Sequence, residues 1–205
     1  KSIKGVSTVR NKQKIMICVE NGAELTFRDS VGGGVCEYYH NNGDTPAYLA
    51  GYFCLYNRGV LNVESGHILA HDNVGDLVYG IENAVSTGHN DVTGNATLNI
   101  SGGVIEVPQM DRYGQSCFRA FVYEENNTMT PYTNVVNITG GTFKNTYPMS
   151  MSVLGEGTSR FRINISGGEF LGHCRFCAWG DDEIRITGGR FVSEDEFDKK
   201  GIRNV

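Results

Sequence analysis

The sequence predicts an all-β chain, folded as a right-handed, single-stranded parallel β-helix. Three observations predict it. A short pattern recurs: apolar, polar, apolar, Ser or Thr, Gly, Gly, any residue, aromatic or Ile. Every clean copy breaks at the same Gly-Gly corner. The composition suits many tight corners, with 27 Gly, 4 Pro and 20% charged residues among 205. Short strands repeated at a fixed corner stack into a solenoid, whose units bury their apolar faces only against one another.

The clean copies are Leu98-Asn99-Ile100-Ser101-Gly102-Gly103-Val104-Ile105, Val136-Asn137-Ile138-Thr139-Gly140-Gly141-Thr142-Phe143, Ile163-Asn164-Ile165-Ser166-Gly167-Gly168-Glu169-Phe170 and Ile184-Arg185-Ile186-Thr187-Gly188-Gly189-Arg190-Phe191. Leu61-Asn62-Val63-Glu64-Ser65-Gly66-His67-Ile68 is a degenerate copy, and Leu25-Thr26-Phe27-Arg28-Asp29-Ser30 is weaker still. Period-2 alternation turns Leu98 and Ile100, Val136 and Ile138, Ile163 and Ile165, and Ile184 and Ile186 inward. Asn62, Asn99, Asn137, Asn164 and Arg185 then form an outward row, and Asn rows hydrogen-bond along a stack. After the corner, Ile68, Ile105, Phe143, Phe170 and Phe191 stack inward. Burying each such side chain contributes roughly 1.5–3 kcal/mol. The Gly-Gly pair marks a corner that needs positive φ or close backbone approach. No Lys-Ser/Thr and no helical period follows it, so it is not a phosphate loop.

From Gly167 to Gly188 the repeat is 21 residues long. It reads as one three-strand coil, with Arg175-Phe176-Cys177-Ala178-Trp179-Gly180 as its middle strand. The longer repeats shed their extra residues as loops at Val31 to Pro46, Ser86 to Asn95, Glu124 to Thr133 and Gly155 to Ser159. A register slip would instead turn the apolar set outward. About six coils at 4.8 Å each give a rod roughly 30 Å long. Residues 1–14 carry no repeat and form an end segment, 15–192 hold the coils, and 193–205 read as a short C-terminal cap. Ser193 and Glu196 of that cap resemble a capping box. The whole chain reads as one domain.

A net charge of −5 speaks against nucleic acid, which calls for a basic stripe. No run reaches the roughly 18 apolar residues of a membrane span. Lys1-Ser2-Ile3-Lys4 shows no signal peptide, which locates nothing. Cys18 and Cys54 each stand seven residues before a repeat Leu, Leu25 and Leu61. Matching positions stack about 4.8 Å apart. An inward cysteine ladder and a disulfide both satisfy that spacing.

The Asn-Ile-Ser/Thr-Gly-Gly-x-Phe/Ile repeats, with Val19-Glu20-Asn21-Gly22-Ala23-Glu24-Leu25-Thr26-Phe27, resemble those of large bacterial surface proteins. These proteins carry pectate-lyase-like right-handed β-helix regions, are common in Gram-positive gut bacteria and are called adhesin-like by architecture. Gly188-Gly189-Arg190-Phe191-Val192-Ser193, followed by acidic residues and Gly201, looks like the closing segment of such regions. The resemblance covers about residues 15–205. It implies an extracellular or cell-surface module; together with the Tyr-rich loops and the lack of a convincing catalytic set, the expectation is adhesion to a glycan or a host surface protein, without enzymatic activity, cofactor or metal. It leaves the oligomeric state unstated.

Candidate chemistry must come from what departs from the repeat. Tyr38, Tyr39, Tyr48, Tyr52 and Tyr56 crowd one stretch, and Tyr113, Tyr123 and Tyr132 another. Tyrosine offers an apolar face and a polar tip, suited to sugar rings or a protein partner. We take Tyr38, Tyr39, Tyr48, Tyr52, Tyr56 and Tyr113 as the ligand-binding candidates, against the alternative that they cover the core. Asp181-Asp182, at a turn, are the weak catalytic candidates, because glycosidases need paired carboxylates. The ordinary reading is a hydrophilic turn. Asp72, Asn73 and Asp76 carry oxygen ligands of the kind Ca²⁺ takes, with Arg58 or Arg112 as a basic partner, but spacing fixes no set. His173-Cys174-x-x-Cys177 lacks the second pair that zinc requires. His67 and His71 share a face only if the chain between them is extended. Sequons at Asn95, Asn99, Asn126, Asn137 and Asn164 arise largely from the repeat itself. The rival readings are a polysaccharide lyase or glycoside hydrolase of the same fold, and a phage tail-spike-like fragment.

Overall fold

The structure is a computed structural model that describes residues 3–7, 14–40, 51–72, 77–87, 94–108, 116–124, 132–145, 149–154, 160–172, 174, 176, 178 and 180–192. Among them there are strands and no helix. In chain order the strands are β1 (Ile3–Ser7), β2 (Lys14–Val19), β3 (Glu24–Phe27), β4 (Val35–His40), β5 (Gly51–Asn57), β6 (Val60–Val63), β7 (His67–Asp72), β8 (Leu77–Thr87) and β9 (Ala96–Ile100). They continue with β10 (Val104–Glu106), β11 (Ser116–Glu124), β12 (Asn134–Ile138), β13 (Thr142–Lys144), β14 (Met149–Leu154), β15 (Phe161–Ile165), β16 (Glu169–Leu171), β17 (Glu183–Ile186) and β18 (Arg190–Val192).

The chain visits three sheets in rotation. A seven-stranded sheet runs β1-β4-β7-β10-β13-β16-β18, a five-stranded sheet β2-β5-β8-β11-β14, and a six-stranded sheet β3-β6-β9-β12-β15-β17. Every pairing is parallel. This arrangement is consistent with a parallel β-helix. It also differs from the loop expectations, because β4 lies inside the stretch from Val31 to Pro46, β8 runs through Ser86 and Thr87, and β11 includes Glu124. The N-terminal segment, which has no repeat signal, supplies β1 at the edge of the seven-stranded sheet. Of the middle strand expected over 175–180, residues 175, 177 and 179 lie outside the described residues, and 176, 178 and 180 are not in a strand. The expected cap at 193–205 lies outside the described residues.

The repeat register is as the alternation requires. Leu61, Leu98, Val136, Ile163 and Ile184 form one column, and Val63, Ile100, Ile138, Ile165 and Ile186 another. Leu98, Val136 and Ile163 are fully buried, but Ile186 is 46% and Phe191 42% exposed, because no described coil stacks beyond them. Phe143, Phe170 and Phe191 stack with centroids 4.6 and 4.7 Å apart and planes 5° from parallel. The outward Asn row hydrogen-bonds along the stack: the amides of Asn99, Asn137 and Asn164 each donate to the preceding Asn at 2.8, 2.9 and 3.0 Å.

Each glycine of the corner has its own reason. A Cβ at the first (Gly102, Gly140, Gly167, Gly188) would lie 2.2–2.3 Å from a carbonyl oxygen of the adjacent coil. The second (Gly66, Gly103, Gly141, Gly168, Gly189) has φ between +87° and +105°, where side chains with Cβ are strained.

A second Asn network lies inside. Asn57, Asn83 and Asn134 are fully buried. Asn57 Nδ2 donates to Asn83 Oδ1 at 2.6 Å, and Asn83 Nδ2 donates to Asn134 Oδ1 at 2.7 Å. Their remaining amide hydrogens reach the backbone carbonyls of Thr97, Val135 and Phe121. Buried amides of this kind are tolerated because their partners are supplied.

Cys18 and Cys54 do not stack. Cys18 pairs with Tyr56 and is exposed, whereas Cys54 is buried. The corner from β2 to β3 holds four residues (20–23), against two (58–59) from β5 to β6, so equal sequence spacing from Leu25 and Leu61 puts the cysteines out of register.

Candidate functional site

On the outer face of the seven-stranded sheet the residues that alternate outward are polar or aromatic at five of eight positions and aliphatic at Val35, Leu69 and Val104. β4 contributes Val35, Glu37 and Tyr39, β7 His67, Leu69 and His71, and β10 Val104 and Glu106. Their neighbours Cys36, Tyr38, Ile68, Ala70 and Ile105 point into the core. Because β7 is extended, His67 and His71 share this face. His71 Nε2 lies 3.0 Å from Glu37 Oε1. His67 Nε2 lies 3.1 Å from Glu106 Oε2, and Lys144 Nζ approaches the same carboxylate oxygen at 3.9 Å. The Tyr39 ring lies against His71, with centroids 4.8 Å apart and planes tilted by 32°. Arg190 and Glu169 pair further along the same sheet.

These side chains are half-buried, with the two His–Glu pairs between 22% and 30% exposed. The result is a strip of donors, acceptors and one aromatic ring on one sheet face, interrupted by Val35, Leu69 and Val104. Such a strip can hydrogen-bond hydroxyl groups and pack one ring against an apolar face. Glu37 and Glu106 were missed in the sequence. Each makes its pair with a histidine 34 or 39 positions away in the chain, and only the alternation of β4 and the alignment of coils hinted at them.

The tyrosine candidates separate. Tyr39 is half-buried on the strip. Tyr38 and Tyr52 are 3% and 0% exposed and belong to the core. The wide Tyr38 ring is accommodated beside Ala70, its register partner. Tyr56 is also buried, which removes all three from any exposed binding surface. Tyr48 and Tyr113 lie outside the described residues.

Tyr56 belongs to a nest on the outward side of the five-stranded sheet. Phe53, Tyr56, Tyr79 and Ala84 cluster there, with Ile15 and Phe121 packed against them. Inside it Arg119 is held by Glu82, with Nε donating to Oε2 at 2.5 Å, and its Nη1 donates to Tyr79 Oη at 3.0 Å. The guanidinium lies 4.2 Å from the Tyr79 ring centroid and 4.7 Å from that of Phe121. Burial pushes the Glu82 carboxyl above its ordinary range, with Arg119 pulling it back. Burial also raises Tyr79, and with Glu82 it pushes Tyr56 up to about 12. A 1% exposed carboxylate cannot meet a large ligand, so the nest acts as a packing element.

The acidic turn is structural in its described contacts. Asp182 Oδ1 accepts the Phe161 N–H at 2.8 Å, and the Asp181 carbonyl accepts from Arg162. Asp181 itself is exposed. Arg58 lies over the Tyr56 ring, 5.1 Å from its centroid, and pairs with Glu20 at 3.5 Å. Among the described residues no three His, Cys, Asp or Glu side chains group as metal ligands. Asn73, Asp76, Arg112, His173 and Cys177 lie outside those residues, as does the side chain of Asp72. No helix among the described residues is long and apolar enough to cross a membrane.

Comparison of the chain with protein-family models, with curated proteins and with solved structures gives no match.

Proposed function

We propose that this chain is a right-handed, single-stranded parallel β-helix of about six coils, acting as a non-enzymatic module of a bacterial cell surface or secreted protein. It binds an extended glycan along the outer strip of the seven-stranded sheet. The observation that carries this reading is Tyr39 lying on His71 beside Glu37, on one sheet face with His67, Glu106 and Lys144. Polar groups and an aromatic ring spread over one sheet face suit the hydroxyls and apolar faces of an extended sugar chain. The resemblance of the Gly-Gly repeats to adhesin-like surface proteins supports the extracellular setting. Host protein is the other partner of that setting, and the strip's mixed charge suits a polar protein surface less specifically than a sugar chain.

A specific observation favours a second reading, a polysaccharide hydrolase. Glu37 and Glu106 stand in one column with Leu69 between them. Their backbones are therefore about 9.6 Å apart, two strand spacings. Two carboxyl groups thus rise from one face, and glycosidases work with a pair of carboxyl groups.

A glycan array with mass-spectrometric analysis of every hit separates the readings. Binding without new products is expected. Tyr39→Ala should weaken it at least about tenfold, or ~1.4 kcal/mol, while the circular dichroism and melting temperature stay unchanged. Shortened products, abolished by Glu37→Gln or Glu106→Gln, would establish the hydrolase. Binding indifferent to Tyr39→Ala would remove the strip from the account.

A further inference from the structure

Cys36 and Cys54 meet inside the core. Cys36 lies on β4 of the seven-stranded sheet and Cys54 on β5 of the five-stranded sheet. They are 1% and 0% exposed. Their Sγ atoms are 3.6 Å apart, and the Cys54 thiol also lies 3.6 Å from the Cys36 carbonyl oxygen. Cys36 stands between Ile3 and Ile68 in the column that continues inward through Ile105, Phe143 and Phe170, so this sulfur occupies a position that the repeat fills with larger apolar groups. Cys54 sits where the register of β5 with β8 is interrupted opposite Gly80, and both Cys54 and Leu55 turn into the core. Two sulfurs are thus aimed at each other from neighbouring sheets, in the part of the chain where the repeat is weakest.

We propose that Cys36 and Cys54 are a disulfide site that staples the seven-stranded sheet to the five-stranded sheet across the interior. Forming the bond requires the sulfurs to close from contact to about 2.05 Å. The oxidant is a low-molecular-weight disulfide. One cysteine thiolate attacks it, forming a mixed disulfide and releasing one thiol. The second cysteine, giving up its proton, displaces the other half as a second thiol. Two cysteine thiols and one small disulfide therefore become one protein disulfide and two small thiols. Exchange takes place while the coil is assembling, before both sulfurs are enclosed. The cross-link is independent of what the outer strip binds. The pair differs from the one that spacing suggested, since Cys18 is on the outer side, facing Glu20.

The two cysteines share one tryptic peptide, residues 29–58, which contains no other cysteine. The full chain is refolded with reduced and oxidised glutathione, then unfolded in denaturant with iodoacetamide and no reductant, and digested. The expected peptide is two hydrogens lighter than its reduced form and carries no alkyl group; after reduction it takes two. Two alkyl groups without reduction, glutathione on either cysteine, or a link from this peptide to that of Cys18 or Cys174 would each overturn the proposal. The readout uses the unaltered chain, so no variant has to fold.

Discussion

Asparagine appears in this molecule in two roles that look alike in the sequence. Asn137 and Asn164 stand in the outward row, with water as an alternative partner. Asn83 is enclosed, and its side chain joins Asn57, Asn134 and a backbone carbonyl. Each buried polar group left without a partner costs about 1–3 kcal/mol. Asn83→Ala should therefore lower stability by more than ~2 kcal/mol, whereas Asn164→Ala should stay within about 0.5 kcal/mol, as exposed substitutions usually do. Urea denaturation of the two variants checks this, and equal midpoints would deny the internal network its weight. The outward row was legible because it recurs at one place in each repeat. Asn57, Asn83 and Asn134 were not legible, because their sequence surroundings share no pattern.

At the scale of the element, the Gly-Gly corner fixes how closely successive coils pack. Gly167 faces the Thr139 carbonyl, 2.2 Å from where a Cβ would be. Gly22, with φ +78° and nothing within 4 Å of its Cβ position, has backbone strain alone to resist substitution. Gly167→Ala must push two coils apart, and overpacking of this sort costs about 1–3 kcal/mol and occasionally more. Gly22→Ala should cost only the roughly 1–2 kcal/mol of a left-handed residue. Thermal melts should rank Gly167→Ala below Gly22→Ala; the reverse order would mean that the coils yield easily. Ser65 occupies the first corner position in the degenerate copy. Its hydroxyl exchanges hydrogen bonds with the Asp29 backbone at 3.0 Å, so this early corner uses a polar contact where later ones use bare backbone.

For the whole molecule, two carboxylates set opposite pH dependences. Asp29 accepts the N–H groups of Gly34, Val31 and Gly32 at 2.7, 3.0 and 3.0 Å, which holds its pKa below the ordinary value. Its stabilising contribution is present above the unfolded value of about 3.9 and is lost as pH falls through the lower folded value. Glu82 is the opposite case, since its raised folded pKa favours the native state below the unfolded value and less as pH rises through the folded one. Asp29→Ala should therefore melt earlier than the unaltered chain near neutral pH, and the difference should close in strong acid. Melting curves across that range decide it, and a gap that persists in acid would deny the Asp29 carboxylate its role.

The sequence by itself determined the strand direction, the inward columns and the Gly-Gly corners, because each is a local rule repeated until chance is excluded. Alternation put His67 and His71 on one face as soon as the strand was extended. Tertiary structure decided the rest. It buried Tyr38, Tyr52 and Tyr56, brought Glu37 to His71 and Glu106 to His67, enclosed Glu82 with Arg119, and matched Cys54 with Cys36 instead of Cys18. These contacts join residues on different coils, where one corner longer by two residues changes every partner. Periodicity fixes which way a side chain points, but only the stacking of the coils fixes what it meets.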